Sequence, residues 1–300
     1  MKKHLLRLAF INGLLFLSIC IFAQEYSDFY FTHVNGENGL SESNVKAILQ
    51  DSYGFMWFGT KNGLNRYDGT SILQFDCDDL EEGTGNHNIG ALFEDKERNL
   101  WVGTDRGVYI YNPAVDVFKR FKIASSEGIT LDNWVAEILS DSLDNIWVLI
   151  PDQGLFRYKD GKVHHYSLID KDNLKNNNPE CICINEQGEV WVGTSGIGLF
   201  KYNYWDDNFE QYLTDRMGRS LIDKTIISIC FQKENAILGI HEGDLLKYNT
   251  RTDELSEVSF LGEKKTFLRD VMCFGDEIWV GSLHGIFIIN EKENNVIHLK

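Results

Sequence analysis

Asp51-Ser52-Tyr53-Gly54-Phe55-Met56-Trp57-Phe58-Gly59-Thr60 reads as half of a small antiparallel sheet. An Asp-x-x-Gly turn leads into a short apolar strand centred on a tryptophan, and Gly-Thr opens the next turn. Gly63-Leu64 and Tyr67 follow. The same order returns along the chain. Asp95 precedes Trp101-Val102-Gly103-Thr104, then Gly107-Val108 and Tyr111; Asp141 precedes Trp147, then Gly154-Leu155 and Tyr158. Asn185 precedes Trp191-Val192-Gly193-Thr194, then Gly198-Leu199 and Tyr202. A fifth copy has Ile237 in place of tryptophan, with Gly239, Gly243 and Tyr248 behind it; a sixth has Trp279-Val280-Gly281-Ser282, then Gly285-Ile286. The marker positions 57, 101, 147, 191, 237 and 279 are separated by steps of 44, 46, 44, 46 and 42 residues.

A period in the forties made of short strands is the pattern of propeller blades, and leucine-rich repeats, at about 20–29 residues, are too short. At least two glycines per copy and the lack of a 3.6-residue period exclude helical repeats. Each copy divides into four strands. In the first copy they are Val45–Gln50, Phe55–Gly59, the stretch from Gly63 to Tyr67, and Ile72–Phe75; Val135–Ser140 is the expected first strand of the third. The first two strands are apolar on both faces, as in Ala47-Ile48-Leu49 and Met56-Trp57-Phe58. A sheet with one wet face would alternate, so each is expected to lie between two neighbours. Trp57, Trp101, Trp147, Trp191 and Trp279 are therefore expected in the structural core, filling the layers between blades. The expected fold is an all-β propeller of four-stranded antiparallel blades. Six blades are present, at approximately 41–75, 86–121, 132–166, 176–212, 223–258 and 265–300. Asp28–His33 reads as a spare outer strand, and Asn295–Leu299 already gives the sixth copy its own fourth strand. The sequence thus reads as the start of a seven-bladed ring, truncated at its C-terminus.

Of the 300 residues, 29 are basic and 45 acidic, a net charge of −16. That balance argues against nucleic acid and anionic membranes as partners. A hydrophobic share of 43% supplies a substantial core and rules out disorder. Lys2, Lys3 and Arg7 precede an apolar run from Leu8 to Ala23. Residues 1–23 read as a secretory signal peptide, leaving 24–300 as the exported domain. The rival, an uncleaved anchor, is disfavoured by Asn12 and Gly13 within the run, and lipidation at Cys20 by the bulky Ile19 before it. Cys77, Cys181, Cys183, Cys230 and Cys273 then remain, an odd number, so not all can pair within the chain. They are read chiefly as small core residues.

Gly39-Leu40-Ser41-Glu42-Ser43-Asn44-Val45, followed by Asp51 through Gly69, resembles the two-component regulator propeller repeat. The resemblance extends over residues 29–300. It implies the N-terminal periplasmic sensor region of a hybrid two-component system histidine kinase of a Gram-negative bacterium. Such proteins have two successive seven-bladed propellers, an immunoglobulin-like domain and one membrane helix, with kinase, receiver and DNA-binding domains inside the cell. They sense glycan fragments and switch on polysaccharide-utilisation genes. The partners implied are an oligosaccharide or other small exported ligand, the remainder of the same sensor kinase, and a second copy as a homodimer. No ATP-binding glycine motif or phosphoacceptor histidine context occurs in this sequence, so the chain itself is expected to be no enzyme and to need no cofactor.

Ligand-binding candidates lie on the loops at one end of the blades. Asn44, Asn88, Trp134, Asn178, Lys224 and Thr266 open the six first strands and are expected to ring the channel mouth. Amides and an indole there suit hydroxyl recognition and sugar stacking. The loops between second and third strands add Lys61, Arg106, Asp152, Ser195, His241 and His284. His241 and His284 lack the further ligands a metal needs, and His164-His165 reads as solvent-facing. The Asp51, Asp95 and Asp141 series reads as hairpin capping rather than calcium loops. The alternative function is a propeller enzyme. The Asp-x-x-Gly-x-x-Trp hairpin is similar to the Asp box of sialidase-type glycoside hydrolases, and the repeat resembles that of streptogramin lyases. A sialidase-like site needs an arginine cluster, for which the loops offer Arg106 alone. A lyase needs a His–Glu pair at the channel mouth, for which His241-Glu242 and His284 are the candidates.

Overall fold

The computed structural model describes residues 32–75, 88–122, 131, 133–168, 178–259 and 266–299. The chain divides into two compact units, Met1–Val34 and Asn35–Lys300. The expected signal segment 1–23, most of the spare strand Asp28–His33, and Cys20 and Cys77 lie outside the described residues. The second unit is all-β, with four-stranded antiparallel sheets in sequence order. Blade one is Val45–Gln50, Met56–Thr60, Gly63–Tyr67 and Ile72–Phe75; blade two is Ile89–Glu94, Leu100–Thr104, Gly107–Asn112 and Val117–Arg120. Blade three is Glu137–Ser140, Ile146–Ile150, Gly154–Lys159 and Lys162–Tyr166; blade four is Pro179–Ile184, Val190–Ile197, Leu199–Asn203 and Asn208–Tyr212. Blade five is Ile222–Gln232, Asn235–Ile240, Leu245–Asn249 and Glu254–Glu257; blade six is Leu268–Phe274, Glu277–Ser282, Gly285–Asn290 and Asn295–Leu299. The inner strands of each blade pack on the first strand of the next.

The repeat motif explains this stacking. Asp51 Oδ1 accepts the N–H groups of Tyr53 and Phe55 and so closes the hairpin, while Oδ2 accepts the Trp57 indole N–H at 2.7 Å. Asp95 does the same for Trp101 at 2.8 Å and Asp141 for Trp147 at 2.9 Å. Each indole lays its ring against the tyrosine of the following blade, and the first three are fixed at the polar edge by these carboxylates. The centroid separations are 5.7 Å for Trp57–Tyr111, 5.8 Å for Trp101–Tyr158, 4.8 Å for Trp147–Tyr202 and 6.4 Å for Trp191–Tyr248. These four tryptophans are at most 3% exposed. Two residues beyond Trp57, Trp101 and Trp191 lies a glycine that admits the next blade, while the same position after Trp147 is Leu149. A Cβ on Gly59, Gly103 or Gly193 would come within 2.7 Å of Ile89, Val135 or Ile226. Trp279 departs from the expected burial. It is half-buried and donates to Glu277 at 3.0 Å, and its blade is the last one among the described residues.

Three local features differ from the sequence reading. The first strand of blade three begins at Glu137 rather than Val135, because the Val135 N–H reaches across to the Thr104 carbonyl of blade two. Blades four and five are joined, their strands pairing through Ser195–Thr225 and Ile197–Ile222. An inserted hairpin precedes this junction. Asp215 accepts the N–H groups of Met217 and Arg219, binds the Arg219 guanidinium at 2.6 Å, and takes the Leu255 N–H from blade five. His165 is no solvent-facing residue either: its ring packs 4.8 Å from Phe156 and its Nε2 lies 2.6 Å from the Gln153 carbonyl.

The cysteines are not all core thiols. Cys230 and Cys273 form a disulfide between blades five and six. Cys230 pairs across its sheet with Ile237, the tryptophan position, and so shares the face turned to the next blade. Cys273 pairs with Ile278 and faces back. Cys183 occupies the same column as Cys230 but meets Phe231, and it remains a thiol, as does buried Cys181. Burial pushes the Cys183 thiol up to about 12. Cross-linking across 43 residues contributes about 4 kcal/mol by the chain-entropy relation. Replacing both Cys230 and Cys273 with alanine is expected to remove most of that, read as a lower denaturation midpoint in urea.

Asp141 is the most heavily used of the capping carboxylates. Besides Trp147 it accepts from Asn145 Nδ2 at 2.6 Å and from the Tyr204 hydroxyl at 3.0 Å, and it is 5% exposed. Asp141→Asn keeps the backbone bonds but turns a donor toward these groups. It is expected to destabilise the chain by on the order of 3 kcal/mol, and an unchanged urea midpoint would contradict this account of the repeat.

Candidate functional site

The rim loops of blades one, two, four, five and six are each set by one hydrogen bond, whereas in blade three the donor position is Pro151, which has no N–H. The carbonyl of the residue opening the first strand accepts an N–H from the loop between strands two and three. The pairs are Asn44 with Lys61, Asn88 with Asp105, Asn178 with Ser195, Thr225 with His241, and Phe267 with Leu283. In blades five and six the equivalent positions are therefore Thr225 and Phe267, one residue beyond the expected Lys224 and Thr266. The Thr-x-x-Gly turns beside them are closed by a hydroxyl donating to the glycine carbonyl, as in Thr60 to Gly63 at 2.9 Å and Thr104 to Gly107 at 2.9 Å.

The amides are presented as expected of rim groups. Asn44 is exposed, and Asn178 donates from Nδ2 to Asp152 Oδ1 at 3.4 Å. Asn88 is half-buried, and among the described residues its buried Oδ1 has no hydrogen-bond partner. A buried acceptor left unmatched is costly, so a donor supplied from outside would be bound strongly there. Lys61 and Arg106 are exposed, and the Arg106 carbonyl accepts from the Arg120 guanidinium at 3.1 Å.

Trp134 is not an open platform. A Cβ on Gly90 would sit 2.5 Å from its ring atoms, so only a glycine in blade two makes room for the indole. Lys46 Nζ of blade one lies 4.5 Å from the ring centroid. The indole thus bridges three blades, with Lys46 on its ring face. His241 and His284 are likewise held separately. The His241 ring packs 5.1 Å from Phe267, while His284 Nδ1 lies 2.6 Å from Thr266 Oγ1 and its carbonyl accepts from His298 Nε2 at 2.8 Å. Among the described residues no three His, Cys, Asp or Glu side chains are grouped to hold a metal.

Acidic groups below the rim escaped the sequence reading. The residues following the first-strand bulge form a column: Ala47, Ala91, Glu137, Cys181, Ser228 and Asp270. Glu137 and Ser228 each reach the inner edge of the next blade. Glu137 Oε2 accepts the Ile182 N–H at 3.0 Å, and Ser228 Oγ accepts the Val271 N–H at 3.1 Å while donating to Asp270. Glu137 of blade three and Asp270 of blade six hold the same column position in their blades. Burial, reinforced by Asp270, pushes the Glu137 carboxyl up to about 7 from its usual 4.5, against the bond from Ile182. Higher up, Glu180 is also raised by burial, with His241 opposing and Asp152 adding to the shift. The signal available in sequence was the column itself, where Glu and Asp replace alanine.

Because Glu137 titrates near 7 when folded and near 4.5 when unfolded, its ionisation costs stability as pH rises between those values and costs nothing below them. Glu137→Gln is expected to keep the acceptor for Ile182, to leave the melting temperature unchanged at pH 4, and to stabilise by roughly 3 kcal/mol at pH 8. Equal effects at both pH values would show that the carboxyl is not held neutral.

The family of two component regulator propeller repeats matches the sequence at residues 39–62 and 83–106, the hairpin side and rim of blades one and two. Two stretches of the chain thus match the two component regulator propeller. Over 54 residues, 18% of the chain, it is 46% identical to Histidine kinase P4 of Formosa agariphila, of which this is 4% of the length. Its fold is shared with extracellular domains assigned to two hybrid two component systems of B. thetaiotaomicron. For BT3049 the TM-score is 0.70 at 23% identity, over 90% of this chain and 36% of that one; for BT4673 it is 0.67 at 22%, over 86% and 36%. PorZ, a surface component of the type-IX secretion system of Porphyromonas gingivalis, has a TM-score of 0.64 at 12% identity, over 83% and 38%. The chain thus spans little more than a third of these solved chains. Among the described residues no helix is long and apolar enough to cross a membrane.

Proposed function

We propose that this chain is part of the exported ligand-sensing region of a hybrid two-component sensor histidine kinase, and that it binds a glycan fragment at the propeller rim. The observation that carries the reading is the pair of two-component regulator propeller repeats, within a fold shared with extracellular domains of such systems. The rim supports the ligand class. Asn44 and Asn178 present amides, Lys61 and Arg106 present cations, and the unmatched Asn88 Oδ1 suits a sugar hydroxyl as donor. Binding would be relayed to a periplasmic partner segment, a membrane helix and a cytoplasmic kinase.

The enzyme reading rests on Glu180 and His241: burial raises the Glu180 carboxyl, with His241 opposing and Asp152 adding to the shift. Such a pair can move a proton. The sialidase likeness has no comparable support, since Asp51, Asp95 and Asp141 are spent on capping their own hairpins and indoles. Titrating the chain with a panel of neutral oligosaccharides, with products followed by chromatography, separates the readings. At least one oligosaccharide is expected to bind unchanged, with Asn88→Ala weakening it by about tenfold. Product release that is lost in His241→Ala would move the assignment to an enzyme, and no binding by any oligosaccharide would remove the glycan.

A further inference from the structure

The six blades act as controls for one another at the position directly across the sheet from the tryptophan. That position holds Arg66, Ile110, Arg157, Lys201, Lys247 and Ile288 in turn. Three of the four cations there are paired. Arg157 meets Asp207 at 3.1 Å, Lys201 meets Glu189 at 2.6 Å, and Lys247 meets Glu291 at 2.7 Å. Arg66 is the exception. It is half-buried, its guanidinium carbon 4.6 Å from the ring centroid of Phe55, 5.4 Å from that of Phe75 and 5.6 Å from that of Trp57, and among the described residues it has no carboxylate and no hydrogen bond. The counterpart of Asp207 in blade two is Asp116, which is held by the Tyr111 hydroxyl at 2.8 Å.

A cavity of about 300 Å³ opens onto Arg66 between blades one and two. Its walls include the rings of Tyr53, Phe55, Trp57 and Tyr111, and Arg98 stands beside Tyr53, 4.8 Å from its centroid. Two carboxylates also line it, and both are already used. Asp51 accepts from the Trp57 indole and two backbone N–H groups; Glu94 accepts from the Ser52 N–H at 2.7 Å and its hydroxyl at 2.8 Å. The unspent polar capacity of the cavity is therefore donor capacity on a fixed guanidinium, between aromatic walls. The next cavity along, between blades two and three, has Ile110 across from its tryptophan and a Lys96–Asp144 pair on its wall.

We propose that the cavity between blades one and two is a binding site for a small ring-bearing carboxylate, the carboxylate forked by Arg66 and the ring lying on the aromatic wall. A planar guanidinium suits a carboxylate in bidentate geometry, and a volume near 300 Å³ admits a single ring. The site is on the Asp-hairpin side of the blades, at the opposite end of the strands from the rim, and it does not rest on the sensor reading.

The test is calorimetric titration of the chain with glucuronate and with benzoate, using glucose as the uncharged control. At least one of the two carboxylates is expected to bind saturably with a dissociation constant of about 1 mM or tighter, and glucose not to bind in this range. Arg66→Met, which keeps the apolar stem, is expected to weaken binding at least tenfold, while Arg251→Met, on the exposed surface of blade five, leaves it unchanged. Ala114→Phe, on an exposed loop lining the cavity, fills the space without touching Arg66 and is expected to abolish binding even where Arg66→Met folds poorly. Absence of saturable binding by both carboxylates, equal response to glucose, or binding lost in Arg251→Met but retained in Ala114→Phe would overturn the assignment.

Discussion

The structure depends on a carboxylate held against an indole. An Asp at the hairpin between the first two strands accepts backbone N–H groups with one oxygen and the tryptophan N–H with the other. The first contact shapes the turn. The second removes the only polar atom that would resist burying the indole, and a fully buried indole contributes on the order of 150–250 Å² of apolar area. Local turn chemistry and the packing of one blade on the next are therefore two uses of one side chain. Blade four, where Asn185 stands in place of the Asp, separates the two uses. Its Oδ1 still closes the turn, but Nδ2 is a donor and goes to Glu189, and the Trp191 N–H is left without an acceptor at hydrogen-bond geometry.

This coupling is why so much of the fold was legible. A motif that fixes both turn and layer leaves a full signature in every copy, so the spacing of Trp57, Trp101, Trp147 and Trp191 reports stacking directly. Features that depend on two copies at once were not legible in the same way. The disulfide between Cys230 and Cys273 needs one cysteine on the forward face of blade five and one on the rear face of blade six, an offset of one position between adjacent columns. Counting cysteines gives an odd number and conceals this. The Asp215 hairpin was missed for a different reason. It repeats the Asp-x-x-Gly turn without a tryptophan, so it lies outside the period that organised the reading.

The rim was only partly legible. Sequence position located the loops, because the Thr-x-x-Gly turns are local. It did not locate Trp134's surroundings, which are set by the absence of a side chain on Gly90 in another blade. It shifted the assignments in blades five and six by one residue, since the first hairpin is shorter there: Cys230 pairs with Ile237 and Met272 with Trp279, seven residues on, where Leu49 pairs with Trp57, eight on. The axial acids were hidden by the same rule that made the tryptophans plain. A reading that looks for what recurs passes over the column where Glu137 and Asp270 stand in place of alanine.

Departures from the repeat, rather than the repeat, are thus where binding chemistry is to be sought. A position filled alike in every blade answers a demand shared by all blades, which is packing. A position that differs answers something local. At Glu137 the local demand is visible, since its carboxylate caps the inner edge of blade four through the Ile182 N–H. At Arg157, Lys201 and Lys247 it is visible too, since each cation has a carboxylate. Arg66 and Asn88 differ from these in having a buried or stacked polar group for which the described residues supply no match. Folding alone does not favour leaving either in that state, because desolvating a polar group without a partner costs more than leaving it in water. The two mismatches have opposite character, a cation on the hairpin side and an acceptor on the rim, so they call for ligands of different chemistry at opposite ends of the blades.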